Sequence, residues 1–330
     1  MGRKGLIALI VIVLLCVAGY LAVQRSQQQS TAQVEQAPWL AAEQGYLGSL
    51  QALEIESPGQ PSVRIERHGE TWVVPAKADY PAAPQTLADL LRSLREARIV
   101  EAKTANPQWH ARLGLAEQGE ADEQAQRLTL KFDGHPDLQL RLGKLSQQGG
   151  GQLVRRAGED QVWLIDQQLQ LPAAELDWLD RRMTDIPFLD IARLELRHAD
   201  GQTLTLTRAD AKQYNLAVEE LRKEQKLSFE GAANGVATLF SNLQFADAAP
   251  LAQIGFKQAP VLQLSLSGFT GQKLEGALYK QGEQYWLVLG KREGFKDGEV
   301  SAREDWAYRL ESQQVQRLMK KVRDLLAKDT

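Results

Sequence analysis

The chain has 330 residues, 43% hydrophobic and 25% charged, with 39 basic against 42 acidic side chains for a formal net charge of -3. This supports one or two packed domains and lacks the basic stripe that nucleic-acid binding needs to displace counterions. Cys16 is the single cysteine, so internal disulfides, thiol catalysis in the remainder and cysteine-held zinc are excluded together.

Arg3 and Lys4 precede an uncharged run from Gly5 to Val23 that includes Leu6-Ile7-Ala8-Leu9-Ile10-Val11-Ile12-Val13-Leu14-Leu15. A helix of about 19 residues rises roughly 28 Å, close to the hydrocarbon thickness of a bilayer. After the run comes Arg25, and then no Lys or Arg before Arg64. The positive-inside rule therefore predicts residues 1–4 in the cytoplasm, a single span over 5–23 in the inner membrane, and the bulk of the chain in the periplasm. A cleaved leader would have a shorter apolar core and a small-x-small site, and Ser30-Thr31-Ala32 is poorly placed for one. A lipoprotein would carry a small residue before Cys16, where Leu15 stands. An uncleaved anchor is the expectation. A linker, 24–45, follows, its residues 24–37 polar and of low complexity.

Beyond it, period-two alternation predicts strands at Val63-Arg64-Ile65-Glu66, Leu128 to Phe132, Leu138 to Leu142, Leu194-Glu195-Leu196, Leu204-Thr205-Leu206 and Leu262 to Leu266. Asp133-Gly134 and Asp200-Gly201 sit between such runs, where hairpins need residues tolerant of positive φ. One apolar and one polar face imply antiparallel sheets covered on one side. Helical stripes appear at Leu87, Leu90, Leu91 and Leu94, at Val236, Leu239, Phe240 and Leu243, and at Val315, Leu318, Met319, Val322, Leu325 and Leu326. Core packing is the plain reading of each, and the last is the best candidate for docking a partner helix.

The order of these signals recurs about 140 residues later, at the spacing of a structural repeat. Strands ending near Trp72 lead to the first stripe and then Leu113-Gly114-Leu115. Strands ending near Tyr214 lead to the second stripe and then Ile254-Gly255-Phe256. Val162-Trp163-Leu164-Ile165 is paired with Tyr285-Trp286-Leu287-Val288-Leu289, and Asp177-Trp178-x-x-Arg181 with Asp305-Trp306-x-x-Arg309. The expected fold class is α+β: two tandem similar modules of antiparallel sheet plus helix, 46–186 and 187–312, preceded by one N-terminal transmembrane helix and closed by a C-terminal helix, 313–330.

Glu70-Thr71-Trp72-Val73-Val74, the Tyr80-Pro81 step, the leucine helix from Leu87 to Leu94 and Leu113-Gly114-Leu115 carry a resemblance. Together they resemble the domain of unknown function 4340 family (DUF4340) over most of the chain after residue 45. The resemblance implies an extracytoplasmic protein associated with an ABC-type export system of the kind linked to gliding motility. It implies an auxiliary component, not the ATPase, and it brings no catalytic residues with it.

The residues themselves offer little chemistry. His68, His110, His135 and His198 have no metal-protease spacing and read as solvated surface groups. No Gly-x-Ser-x-Gly elbow and no phosphate-binding Gly-x-x-x-x-Gly-Lys-Ser/Thr loop occurs. Gly149-Gly150-Gly151 reads as a hairpin loop. Asp177, Asp180, Asp185 and Asp190 read as caps and solvated acids, without the pattern of a calcium loop. Trp163, Trp178, Trp286 and Trp306 read as core, or as a sugar-stacking surface if a glycan is the ligand. No catalytic, cofactor-binding or metal-ligating residue, and no cofactor, is assigned. The expected partners are the inner membrane and the membrane subunits of an ABC transporter, with neither nucleic acid nor nucleotide. The leading expectation is a non-catalytic accessory or binding protein. A periplasmic hydrolase of envelope polysaccharide and a structural spacer are the alternatives.

Overall fold

Alternating side chains put one face of each strand into a core and leave the other wet, and on that rule two antiparallel sheets are built in a computed structural model. Residues 37–147 and 150–327 are described. The expected anchor, 5–23, the tail before it and residues 24–36 of the expected linker lie outside them. Among the described residues no helix is long and apolar enough to cross a membrane.

The chain divides into two compact units, Met1–Leu179 and Asp180–Thr330. The first holds β1 (Leu50–Glu56), β2 (Val63–His68), β3 (Thr71–Val74), β4 (Tyr80–Pro81), α1 (Pro84–Glu96), β5 (Ile99–Thr104), β6 (Gln126–Phe132), β7 (Leu138–Leu145), β8 (Gln152–Arg156) and β9 (Val162–Ile165). Its strands form one sheet in the order β4-β3-β2-β1-β6-β7-β8-β9-β5. Leu128 and Leu130 of β6 face Leu140 and Leu138 of β7 across a turn in which Gly134 takes φ 69°. Pro84 starts α1, where its missing N–H costs nothing, and Leu87, Leu90 and Leu94 bury the predicted stripe.

Residues 37–45, expected as the end of a linker, are folded into this unit. Trp39 and Leu40 are buried, and backbone hydrogen bonds join Trp39 N–H to Ala97 O (2.8 Å) and Ile99 N–H to Ala37 O (2.9 Å). The polar composition that marks a linker has run out by Pro38-Trp39-Leu40.

The second unit holds β10 (Arg182–Thr184), β11 (Ile191–His198), β12 (Thr203–Thr207), β13 (Ala217–Val218), α2 (Asn234–Ala237), β14 (Leu243–Gln244), β15 (Asp247–Pro250), α3 (Leu251–Ile254), β16 (Leu262–Gly268), β17 (Lys273–Gln281), β18 (Gln284–Glu293), β19 (Trp306–Arg309) and α4 (Ser312–Leu318). The sheet order is β13-β12-β11-β16-β17-β18-β19-β15, with β10 and β14 paired apart from it. Because β10 pairs with β14, the units part at Leu179/Asp180, seven residues before the expected 186/187 junction.

The two orders correspond strand for strand. In the first sheet β2-β1-β6-β7-β8-β9-β5 occupies the places that β12-β11-β16-β17-β18-β19-β15 occupies in the second. The glycine steps correspond as well: Gly114 and Gly255 both end a short helical turn in the left-handed region, at φ 69° and 57°. The later sequence pairings do not fit this topology. Val162 to Ile165 is β9, whose counterpart is β19, whereas Tyr285 to Leu289 belongs to β18. Trp178 lies in a short 3-10 turn and Trp306 in a strand, so the shared Asp-Trp-x-x-Arg spelling is a coincidence of sequence. Neither β8 nor β17 is among the predicted strands, so the order of signals alone leaves the comparison one strand out of step.

Two helical expectations are shortened. The Val236 stripe is buried, but α2 is a single turn continued by a 3-10 turn, Thr238–Ser241, and ended where Asn242 turns to φ -163°. The C-terminal stripe is also broken. Lys321 is extended, and Val322–Leu325 forms a separate 3-10 turn. Ser228 N–H donates to Leu325 O (2.9 Å) and Ala327 N–H to Lys226 O (2.9 Å), while Leu318 and Leu325 are buried. The stripe expected to receive a partner helix is largely used within its own unit.

Candidate functional site

The residues singled out by sequence do not converge. His110 and His198 are buried, contrary to the expected solvated state. His110 Nε2 lies 3.0 Å from Asp160 O and His198 Nε2 3.1 Å from Lys320 O. His135 stacks on Tyr46 with ring centres 4.2 Å apart, and His68 lies 3.6 Å from Glu66. Trp178, Trp286 and Trp306 are in the core and Trp163 is half-buried. Asp180 accepts from Arg182 N–H (3.3 Å) and Asp185 faces Arg182 at 3.5 Å, while Asp177 is exposed. Asp190 contributes its backbone carbonyl to Phe269 N–H (3.3 Å). Gly150 and Gly151 lie between β7 and β8, and Gly149 falls outside the described residues. Among the described residues no group of His, Cys, Asp or Glu side chains could hold a metal ion.

Two constellations that the sequence did not reveal carry the charge chemistry. The first is a row of arginines across the first sheet: Arg127 on β6 faces Arg141 on β7, which faces Arg155 on β8. Like charges directly opposed across strands repel, and Glu117 resolves the conflict. Its carboxylate accepts from Arg141 Nε at 3.0 and 3.1 Å and from Arg155 Nη2 at 2.6 Å, with Arg127 Nη2 3.5 Å away. Burial pushes the Glu117 carboxyl up, but the guanidinium groups of Arg141 and Arg155 outweigh it and hold the carboxyl below its usual range. Arg155 also donates to Leu115 O at 3.0 Å. The cluster pins the segment after Gly114 onto the sheet. A second pair, Arg156 with the buried Glu43, is bidentate at 2.6 and 2.8 Å and ties the segment before β1 to β8.

The second constellation is at the start of β11 in the second unit. Arg208 is buried, donating from Nη1 to Phe188 O (3.0 Å) and from Nη2 to Tyr214 O (3.1 Å), with its guanidinium 4.3 Å over the Phe188 ring. Its Nε has no hydrogen-bond partner among the described residues, and burial lowers its pKa from the usual arginine value. Around it stand four exposed apolar side chains. Leu189 follows Phe188 in the chain, and Tyr214 meets Phe188 edge-on at 5.5 Å. Phe269 N–H donates to the Asp190 carbonyl, and Phe229 and Asn215, the chain neighbour of Tyr214, both lie close to the open side of Gly231. Tyr214 and Phe229 are 64% and 66% exposed, which is the opposite of what large aromatics do in a core.

A shallow trough of about 460 Å³ lies on the outer face of the second sheet, walled by Glu195, Arg197, Glu275 and Lys291 over Ser265 and Ala277. Arg197 and Arg193 both pair with Glu195, at 2.8 and 3.3 Å, so its charges are largely matched internally.

The chain matches the family model described as "Domain of unknown function (DUF4340)" over residues 72–259, more than half its length. No curated protein and no solved structure matches it.

Proposed function

The chain belongs to the DUF4340 family, and from that premise we propose that it is a membrane-tethered, non-catalytic extracytoplasmic protein, auxiliary to an ABC-type transport system and acting through protein contacts. The observation that carries this reading is the cluster of exposed Leu189, Tyr214, Phe229 and Phe269 at one end of the second unit. Large apolar side chains left exposed on neighbouring segments mark candidate interaction sites, and aromatic side chains are favoured at the centres of interfaces. The tether is the apolar run 5–23 with its basic leader Arg3-Lys4, and the positive-inside rule gives its orientation. The shared strand order of the two sheets supports a tandem duplication of one α+β module. In this reading one copy presents the contact surface. The other, with its arginine row closed by Glu117, is the more internally locked.

Purification of the tagged full chain in mild detergent tests the proposal. Membrane-spanning transporter subunits should accompany the wild type and be depleted with Tyr214→Ser/Phe229→Ser. Recovery of the wild-type protein alone would overturn it. A topology reporter fused after residue 330 should report the periplasmic side.

A further inference from the structure

Three arginines are buried among the described residues: Arg141, Arg155 and Arg208. Arg141 and Arg155 share the Glu117 carboxylate. Arg208 meets two backbone carbonyls and the face of Phe188, and no carboxylate pairs with it among the described residues. Asp210, two residues along, accepts from Lys212 N–H (2.8 Å). Carbonyl dipoles satisfy N–H groups without supplying a counter-charge, so the buried guanidinium remains an uncompensated positive charge. Its two acceptor carbonyls belong to Phe188, which the exposed Leu189 follows in the chain, and to Tyr214, itself exposed.

We propose that this end of the second unit receives a segment of a partner protein that carries a carboxylate between apolar side chains, with Arg208 as the charge that the carboxylate answers. The proposal rests on the accessory-protein reading and adds the partner's chemistry to it. The apolar side chains of the segment pack on Tyr214, Phe229 and Phe269. Covering the rim expels water, and the lower local dielectric strengthens the attraction between the fixed guanidinium and the incoming acid. A basic segment would meet the same apolar surface with the wrong sign.

The probe is a fluorescein-labelled nine-residue peptide whose central glutamate has a leucine and a phenylalanine on each side. Twin peptides carry glutamine or lysine at the centre. Binding to the purified full chain is read by fluorescence anisotropy against empty detergent micelles. The glutamate peptide should bind about tenfold tighter than its glutamine twin, with the lysine twin weakest. Arg208→Gln should erase that ratio. Leu189→Glu should erase it too, by placing a carboxylate at the rim while leaving the buried arginine and its packing in place. Equal binding of the three peptides, a preference for lysine, a ratio unchanged in Leu189→Glu, or no binding at all would overturn the assignment. If the peptides fail while Tyr214→Ser/Phe229→Ser still depletes transporter subunits, the acidic chemistry falls and the accessory role stands. If the peptides discriminate as expected while no transporter subunit is recovered, the surface stands and that role falls.

Discussion

Replacing Glu117 by glutamine tests how the first unit secures the segment after Gly114. The carboxylate is the only acid that Arg141 and Arg155 pair with among the described residues, at 3.0 and 2.6 Å. Glu117 itself is 46% exposed, so water screens its side of the interaction and the cost of breaking a fully buried pair does not apply. The two arginines, however, are buried, and each would lose a charge-assisted hydrogen bond, a loss of about 1–3 kcal/mol in an unscreened setting. Discounted for screening, the variant should lose about 2 kcal/mol, or about 6–10 °C in the melting of the first unit. Hydrogen exchange resolves the effect locally. The amides of Ala116 and Ala125, bonded to Glu123 O and Ala116 O at 3.0 Å, should lose protection. The pH dependence has a definite sign. Because the folded carboxyl titrates below its usual range, its stabilisation is complete above the unfolded value of about 4.3 and drains away as pH falls through the folded one. The gap between wild type and Glu117→Gln should therefore be constant from pH 8 to 5 and close below about pH 4. A loss under about 0.5 kcal/mol, or a gap that widens on acidification, refutes the latch.

His198 should make the second unit acid-sensitive in a different range. Burial, and then Lys321, hold its imidazole below the ordinary value against the opposing Lys320 carbonyl, Asp200 and Asp324, and its Nδ1 has no partner among the described residues. Its stabilisation is complete above about pH 6.5 and is lost as pH falls from there towards the folded value, so protection of the Ser228 and Ala327 amides should decline between pH 7 and 5 in wild type and not in His198→Gln. Gly143→Ala places a Cβ 2.6 Å from Leu113 O and 2.7 Å from Leu115 Cγ, and urea unfolding should show a loss of about 1–3 kcal/mol. Gly235→Ala, at the second residue of the single-turn α2 with open space around it, should gain about 0.5 kcal/mol in the same assay.

Much of the sheet was legible because its apolar residues alternate and its hairpins spell Asp-Gly. Strand β1 was not, although it is central. Leu50-Gln-Ala-Leu-Glu-Ile-Glu buries Ala52 and Leu53 in succession, so the two-residue period breaks where the register shifts beside β6. The C-terminal stripe kept its spacing through Met319, Lys320 and Lys321, but a periodic pattern does not reveal where the backbone leaves the helix. The arginine row was hidden for a different reason. Arg127, Arg141 and Arg155 each look like the polar partner of an alternating strand, and only the cross-strand register brings them together. Arg208 and Tyr214 sit outside the main runs, in the stretch after β12. Neither period nor motif marks a buried cation there, and only the fold shows that no acid among the described residues pairs with it.

The margins of the sheets bear on how these molecules coexist. The terminal strands β4 and β13 are two residues each, and β15 closes on Pro250, which has no amide to donate. The longer β5 carries the mutually paired Glu101 and Lys103, and at the start of the strand Ile99 N–H donates to the Ala37 carbonyl. A long row of unsatisfied amides invites a second polypeptide to zip on, and short, charged or proline-ended borders refuse it. Copies crowded side by side are thereby steered away from strand-to-strand aggregation, and any lasting assembly they enter must be selected by side-chain chemistry.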